Sequence, residues 1–568
     1  MKTTRLFPSA WKISLMTAGF FLFAAGCNDT ISDGSSPGPD VFPGNDDWIA
    51  ALEEVFYDAG VIVPKDESIQ EAVDAAEPGA VIYIEPGVYN EKITIDKPGI
   101  RLVGLKGDDG ERVIIGKSGQ NGISLTGDAA ESEIINIQDD NSTENEIRNN
   151  AAAKKGKKSC KVKRKKVKSR IAHYEFEVRL SDRPFDVVRL HRVVQEDRPN
   201  RPARTRGAVF MLHGASLNFE AVFLNAGTEN PDANTSISYY LASHGIDVWG
   251  LDFAWTQVPR ETTDFSFMED WGVERDMDHA LAGMSIARLI RGLTGQGLGR
   301  LNLLGYSYGV GVAYGAAGRE TREHPILRDI KGIIAVDQIL KYDPAGDDTE
   351  DLRTTVCQTA ANVKAQLDAG TYHATQGVTL ATVGGLATNN AEGDSPLPPP
   401  FGGNTNFQVA LMIGTTPSGN GAPDWHFVAG DFSNSEFPVP SGLRFTDPDR
   451  WIRLISSLPP YQPNRTTYEM RACVCDEEDV SFDDYIGDIR VPILYLGAGG
   501  AFGTYGYFTS SLTDSQDITN VNVSLEPDPM KRLLDFGHGD MMLAKDAPTE
   551  VWQPLRYWLV SHNSNGFF

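Results

Sequence analysis

At 568 residues the chain is too long for one ordinary domain, and 41% hydrophobic residues give it ample apolar content, so two or three domains are expected and disorder throughout is excluded. A formal net charge of -25 argues against general nucleic-acid binding and for a self-repelling surface. Five cysteines make no disulfide framework in so long a chain, and none has zinc-site spacing with histidine partners, so no structural metal is implied.

Lys2, Arg5 and Lys12 precede an apolar run from Ile13 to Ala25, too short to span a bilayer comfortably and built like the core of an export signal. The run ends Ala24-Ala25-Gly26-Cys27, which resembles the bacterial lipobox, with Ala24 where Leu is usual. That resemblance implies a signal peptide over 1–26, lipidation of Cys27 and attachment to a membrane through an N-terminal lipid anchor. Asn28 after the cysteine resembles outer-membrane sorting, in a cell envelope, facing periplasm or exterior. Residues 27–47, rich in Gly, Ser, Pro and Asp, read as a tether. In such a compartment disulfides persist. Cys357 is expected to pair with Cys473 or Cys475, the alternative being free or variably paired thiols.

Residues 48–130 alternate short β-rich runs with Gly and Pro turns, as in AVIYIEPGVYNE and ITIDKPGIRLVG, after a helix-like SIQEAVDAAEPGA. Together they resemble the entry to a right-handed parallel β-helix of the pectin-lyase type. With only about three rungs and no catalytic rungs, a truncated β-helix-like module that packs on the next domain is expected, not a lyase. Residues 131–170 read as a polar then basic linker, because Lys154 to Arg170 carry no acid. It is expected as a solvated hinge, or else as a clasp on anionic polymers or on the chain's own acidic surface.

From Ile171 the pattern turns to α/β. HYEFEVRL and FDVVRLHRVV predict an antiparallel hairpin; GAVFMLHG, DVWGLDF, LNLLGYS, GIIAVD, VPILYLG and KRLLDFG predict short strands, several separated by amphipathic helices such as VERDMDHALAGMSIARLI. Alternating βα units predict a mostly parallel sheet with helices on both faces.

Gly305-Tyr306-Ser307-Tyr308-Gly309 reads G-x-S-x-G, directly after the apolar LNLL and before the small-residue run VGVAYGAAG. A strand, sharp turn and helix in that order make a nucleophile elbow, with the Ser307 hydroxyl exposed beside a helix N-terminus. His213-Gly214 closes an earlier strand where an oxyanion loop belongs, so the N–H groups of Ala215 and Tyr308 are expected to face the developing oxyanion. His213 itself is expected to serve in packing. His538, in the Gly-flanked loop Gly537-His538-Gly539-Asp540, is the candidate base, since serine needs an imidazole to take its proton. Asp337, ending GIIAVD, is the leading acid; Asp514 comes next, then Asp535 or Asp540. The commoner place for the acid, Gly497 to Gly503, holds no carboxylate.

Residues 171–568 resemble the α/β-hydrolase superfamily. The stretch from VFMLHGASLNFEAV through YYLASHGIDVWGLDFAW to LGYSYG is similar to the acid-lipase branch of esterases. Beyond Asp337 the likeness fades, and a large cap is expected at about 342–485. The resemblance implies hydrolysis of a carboxylic ester or lipid-like acyl substrate through an acyl-enzyme, with neither metal nor organic cofactor. The same triad serves amides, thioesters and acyl transfer. The competing class is a non-catalytic envelope lipoprotein that binds glycans or a protein partner and keeps a vestigial triad.

Overall fold

The structure, a computed structural model, describes residues 61–139, apart from 66, 106–110, 117–121, 127–131 and 136, and residues 161–563, apart from 182, 347–348, 399–400 and 477–478. The signal segment, Cys27, the tether and Cys160 lie outside the described residues.

Among the described residues nine strands build the main sheet: β1 (Lys161–Lys168), β2 (Ile171–Arg179), β3 (Val187–Arg198), β4 (Ala208–Leu212), β5 (Asp247–Asp252), β6 (Leu301–Tyr306), β7 (Ile330–Val336), β8 (Ile493–Ala498) and β9 (Ile518–Val523). They stand in the order β1-β2-β3-β5-β4-β6-β7-β8-β9, and Arg201–Pro202 adds a short pairing to the end of β3. The pairings from β1 to β5 are antiparallel, and all those from β5 to β9 are parallel. Setting the edge strand β1 aside, this is the α/β-hydrolase sheet.

Side chains alternate along each strand, which gives the sheet two apolar faces. Leu303, Ile333 and Ala335 join the core beneath α2 (Val273–Leu293) and α3 (Tyr308–Glu320), while Leu304, Ile334 and Val336 join the one beneath α1 (Ile237–Ser243). Between β7 and β8 the chain inserts a cap with, among the described residues, five α-helices: α4 (Thr349–Asp368), α5 (Gln376–Asn389), α6 (Asn406–Thr415), α7 (Pro448–Ser456) and α8 (Asn464–Cys475). The apolar sides of α5, α6 and α7 form a core around Val383, Leu411, Trp451 and Ile455, while α4 and α8 pack into the cores of the sheet through Val356, Met470 and Val474. Helix α9 (Gln553–Asn563) closes the chain on the α1 face.

Two expectations fail here. Lys161–Lys168 is not linker but the edge strand β1, paired with β2 from Lys161 opposite Glu177 to Lys168 opposite Ile171 with a register shift between Lys166 and Lys168. Its cations find acids that local sequence does not show. Arg164 is bound by the Glu196 carboxylate, Lys163 reaches Glu175 at 2.8 Å, and Lys168 reaches Asp232 at 3.4 Å. Lysines on an edge also discourage pairing with another chain. The run KRLLDFG is likewise no strand: Pro529–Leu534 forms tight 3-10 turns with no buried side chain. The last strand is β9, whose alternating polar sequence ITNVNV buries only Val523 fully.

Ahead of the sheet, short strands stack in three parallel ladders. Val61–Val63, Val81–Ile84, Arg101–Gly104 and Glu133–Ile135 form the first; Gly87–Tyr89, Val113–Ile115 and Ile137–Asp139 the second; Ile93–Ile95 and Ile123–Leu125 the third. Ile82, Tyr89, Ile95, Leu102 and Val113 fill the space between them. The helix Ile69–Ala75 covers one end, capped by Ser68, whose hydroxyl donates to Glu91 at 2.8 Å. This module extends past residue 130, through the Ile137–Asp139 strand. It packs on the main domain through Ile62, Val81, Tyr83 and Leu105 against Leu289 and Leu298, and takes Ile326 into its own core. Leu298 and Ile326 immediately precede β6 and β7, so the module sits at the N-terminal ends of the parallel strands.

Candidate active site

The opposite, C-terminal ends of those strands hold the candidate site residues. Ser307 follows β6 directly and caps α3 with φ 54° and ψ -124°, a conformation that L residues adopt only where surrounding structure enforces it. The flanking glycines show why. A Cβ on Gly305 would stand 2.3 Å from the Gly309 carbonyl oxygen, and one on Gly309 would stand 2.4 Å from that of Leu212. Neither leaves room for a methyl group, so the turn is closed to any other residue.

The loop after β4 presses on the same point. A Cβ on Gly214 would lie 2.9 Å from Ser307 Cβ and 3.4 Å from its Oγ. Ala215 and Tyr308 both border the cavity that holds Ser307, and the Tyr308 N–H, first in α3, has no acceptor within the helix. The Ser216 N–H donates to Gln462 Oε1 at 2.9 Å, so a cap side chain fixes the loop's position. The Tyr308 hydroxyl is turned away, donating at 2.7 Å to Asp276, a carboxyl that burial pushes up to about 6.

His213 lies wholly buried against the rings of Phe253 and Trp255. Nδ1 meets the Gly214 carbonyl at 2.9 Å, and Nε2 accepts the Phe253 N–H at 3.3 Å, which together define a neutral tautomer. Burial brings its pKa down to about 4. The ring is a brace under the loop.

His538 and Asp337 come together at 2.6 Å, from Nδ1 to Oδ2. With Nδ1–H donating to the carboxylate, Nε2 is left as the basic nitrogen. Asp337 is wholly buried at the end of β7, with φ 52°. Its other oxygen accepts N–H groups of Ala498 at 2.8 Å, Phe502 at 3.2 Å and Gly503 at 3.3 Å. The glycine-rich loop after β8, which lacks a carboxylate of its own, therefore supplies donors to the one contributed by β7.

The His538 loop is fastened from two sides. Its N–H donates to the His426 carbonyl at 3.0 Å, while its own carbonyl accepts the Tyr306 hydroxyl at 3.0 Å. The Tyr306 ring stacks on the imidazole at 4.8 Å, and Trp425 lies 5.0 Å away. Asp540 anchors the next turn, accepting the Gly537 and Ala429 N–H groups at 2.9 Å each and the Thr446 hydroxyl at 2.5 Å.

The other candidate acids point elsewhere. Asp514 is on the surface beside Arg490, and Asp535 accepts from Ser524 and the Leu525 and Glu526 N–H groups. Ser307 and His538 border one cavity of about 170 Å³, roofed by the cap through Leu380, Trp451, Leu454 and Ile455. Gln462, Trp425 and Arg471, which also border it, carry no local motif by which the sequence could announce them. Cys357 is bonded to Cys475, joining α4 to the end of α8, and Cys473 is a buried free thiol.

No family model matches the chain, and no curated protein matches it in sequence. Among solved structures it is similar to a candidate lipase of Sulfolobus solfataricus, at 18% identity and a TM-score of 0.47 over 71% of this chain and 99% of that one. It is also similar to an epoxide hydrolase of Vigna radiata, at 11% identity and 0.34 over 69% and 98%, and to a soluble variant of monoglyceride lipase from Saccharomyces cerevisiae, at 13% and 0.32 over 66% and 93%. At such scores these likenesses bear no argument about activity.

Proposed function

We propose that the chain is a serine hydrolase that cleaves a carboxylic ester or lipid-like acyl substrate through an acyl-enzyme. One observation carries this reading: the 2.6 Å contact between His538 and the buried Asp337, beside a cavity that also holds the strained Ser307. Ser307 Oγ attacks the ester carbonyl as His538 Nε2 takes its proton, and the Ala215 and Tyr308 N–H groups receive the oxyanion. The alcohol leaves with that proton. Water then attacks the acyl-enzyme, losing a proton to the same nitrogen, and the acid departs as Ser307 is restored. Asp337 holds the imidazole in the productive tautomer and steadies the imidazolium.

A fluorophosphonate probe tests the reading. Wild-type protein should label at Ser307 and Ser307→Ala should not; a folded wild type that resists the probe would refute it. Cellular placement is part of the same proposal: export, acylation of Cys27 and retention at the envelope, with the parallel ladders of residues 61–139 as a short solenoid. Cys27→Ser should move the protein to the soluble fraction, and continued membrane retention would count against lipid anchoring.

A further inference from the structure

Among the described residues that line the cavity, Arg471 alone carries a permanent charge; the rest are apolar or neutral polar groups and His538. It projects from α8 on the same side as Thr467, Met470 and Val474, which line the cavity with it at helical spacing. Its hydrogen bonds go to one neutral residue, with Nη1 donating to the Asn420 carbonyl at 3.2 Å and Nη2 to the Asn420 side-chain oxygen. Among the described residues it forms no ion pair.

The fully buried arginines of this domain are neutralised, whereas Arg471, partly buried at the cavity wall, faces no acid among the described residues. Arg192 and Arg291 share Asp247, at 2.9 and 2.7 Å, and Arg288 is bound by Asp329 at 2.5 Å. A guanidinium cannot shed its proton, so one withdrawn from water without a counter-charge carries a standing desolvation cost. Burial accordingly lowers the Arg471 pKa from its ordinary value, with only Tyr342 acting the other way. In a chain of net charge -25, a lone cation in a cavity with no other permanent charge among its described lining residues is an electrostatic minimum for an anion.

We propose that Arg471 receives an anionic group of the substrate, a carboxylate or a phosphate, so that the ester taken here has an apolar chain and a negative charge apart from the bond that is cut. This deepens the hydrolase reading and rests on that reading's cavity being where substrate binds. Asn420 holds the guanidinium in place, and the planar fork suits a two-oxygen anion.

The test is equilibrium binding to the full-length Ser307→Ala protein by titration calorimetry, with hexanoate, hexyl phosphate and hexan-1-ol as ligands. At least one anion should bind roughly tenfold or more tightly than the alcohol, and Arg471→Met should erase that preference while leaving alcohol binding unchanged. Which anion wins distinguishes a carboxylate from a phosphate substrate. Equal affinities in the parent protein, or a preference that survives Arg471→Met, would overturn the proposal. If Arg471→Met does not fold, Arg471→Gln takes its place, and the comparison in the parent protein stands by itself. Probe labelling of Ser307 is read separately, so loss of the hydrolase reading and loss of this one give different results.

Discussion

At Asp337 two neighbouring strands combine to hold the imidazole, β7 contributing the carboxylate and the turn after β8 contributing three N–H donors to it. Asp337→Asn should therefore lower kcat by about 10³ to 10⁴, through loss of the productive tautomer, whereas Asp514→Asn should leave it unchanged. Steady-state kinetics on the two variants decides. Ser307 and His538 were legible in the sequence because a glycine-flanked turn leaves a local mark. Asp337 was legible as the leading acid among several, with the alternatives left open, because what holds it in place is a set of backbone donors about 160 residues downstream. Gln462 and Arg471 left no mark at all, since each acts through a contact across the cap.

Asp540 supports a prediction about pH. Burial pushes its pKa up to about 7, above the roughly 4 of an unfolded chain. The folded protein thus holds a proton that the unfolded one releases, so its contribution to stability is complete below pH ~4 and is lost as pH rises to about 7. Glu469, also raised to about 7, acts in the same direction. Asp540→Asn can keep its contacts, accepting from Gly537 and Ala429 while donating to Thr446, and removes the titration. The melting temperature of this variant should fall less steeply between pH 4.5 and 7 than that of wild type, and parallel curves would reject the assignment.

Among elements, the elbow admits least change. Gly309→Ala puts a methyl group into the Leu212 carbonyl, so loss of folded protein or of several kcal/mol of stability is expected, measured by denaturant unfolding. The cap is tied differently. Cys357 and Cys475 are separated by 118 positions, and a cross-link of that span stabilises by about 4 to 5 kcal/mol when counted as chain entropy. Cys357→Ser should lower the melting temperature and raise KM more than it lowers kcat, because it loosens α8 and leaves the His538 and Asp337 pair untouched. The sequence expectation left Cys473 and Cys475 equal; the helix settles it, burying Cys473 toward Asp483 and directing Cys475 to α4. Strand β1 escaped a composition-based reading for a related reason. Its cations are balanced by Glu175 and Glu196, which are distant in sequence and adjacent only once the sheet forms.

For the molecule as a whole, the α/β-hydrolase sheet was legible because alternating apolar strands and helices repeat over most of residues 171–568. The attachment of the small module was less so, since Ile62, Tyr83 and Leu105 look like interior residues of a solenoid wherever they point. Removing residues 1–130 should uncover Leu289, Leu298 and Ile326 and cause association, visible by size-exclusion chromatography. A truncation beginning at residue 171 should fare worse, having also lost β1.

If the chain is exported as proposed, the bond between α4 and α8 also sets when the cap wall is fastened. In a thiol-rich cytosol the two cysteines would stay reduced, and the wall bearing Arg471 would be unfastened while Ser307 was already in place. On the proposed function, a chain whose cysteines were still reduced would thus take its substrate more weakly, as expected for Cys357→Ser.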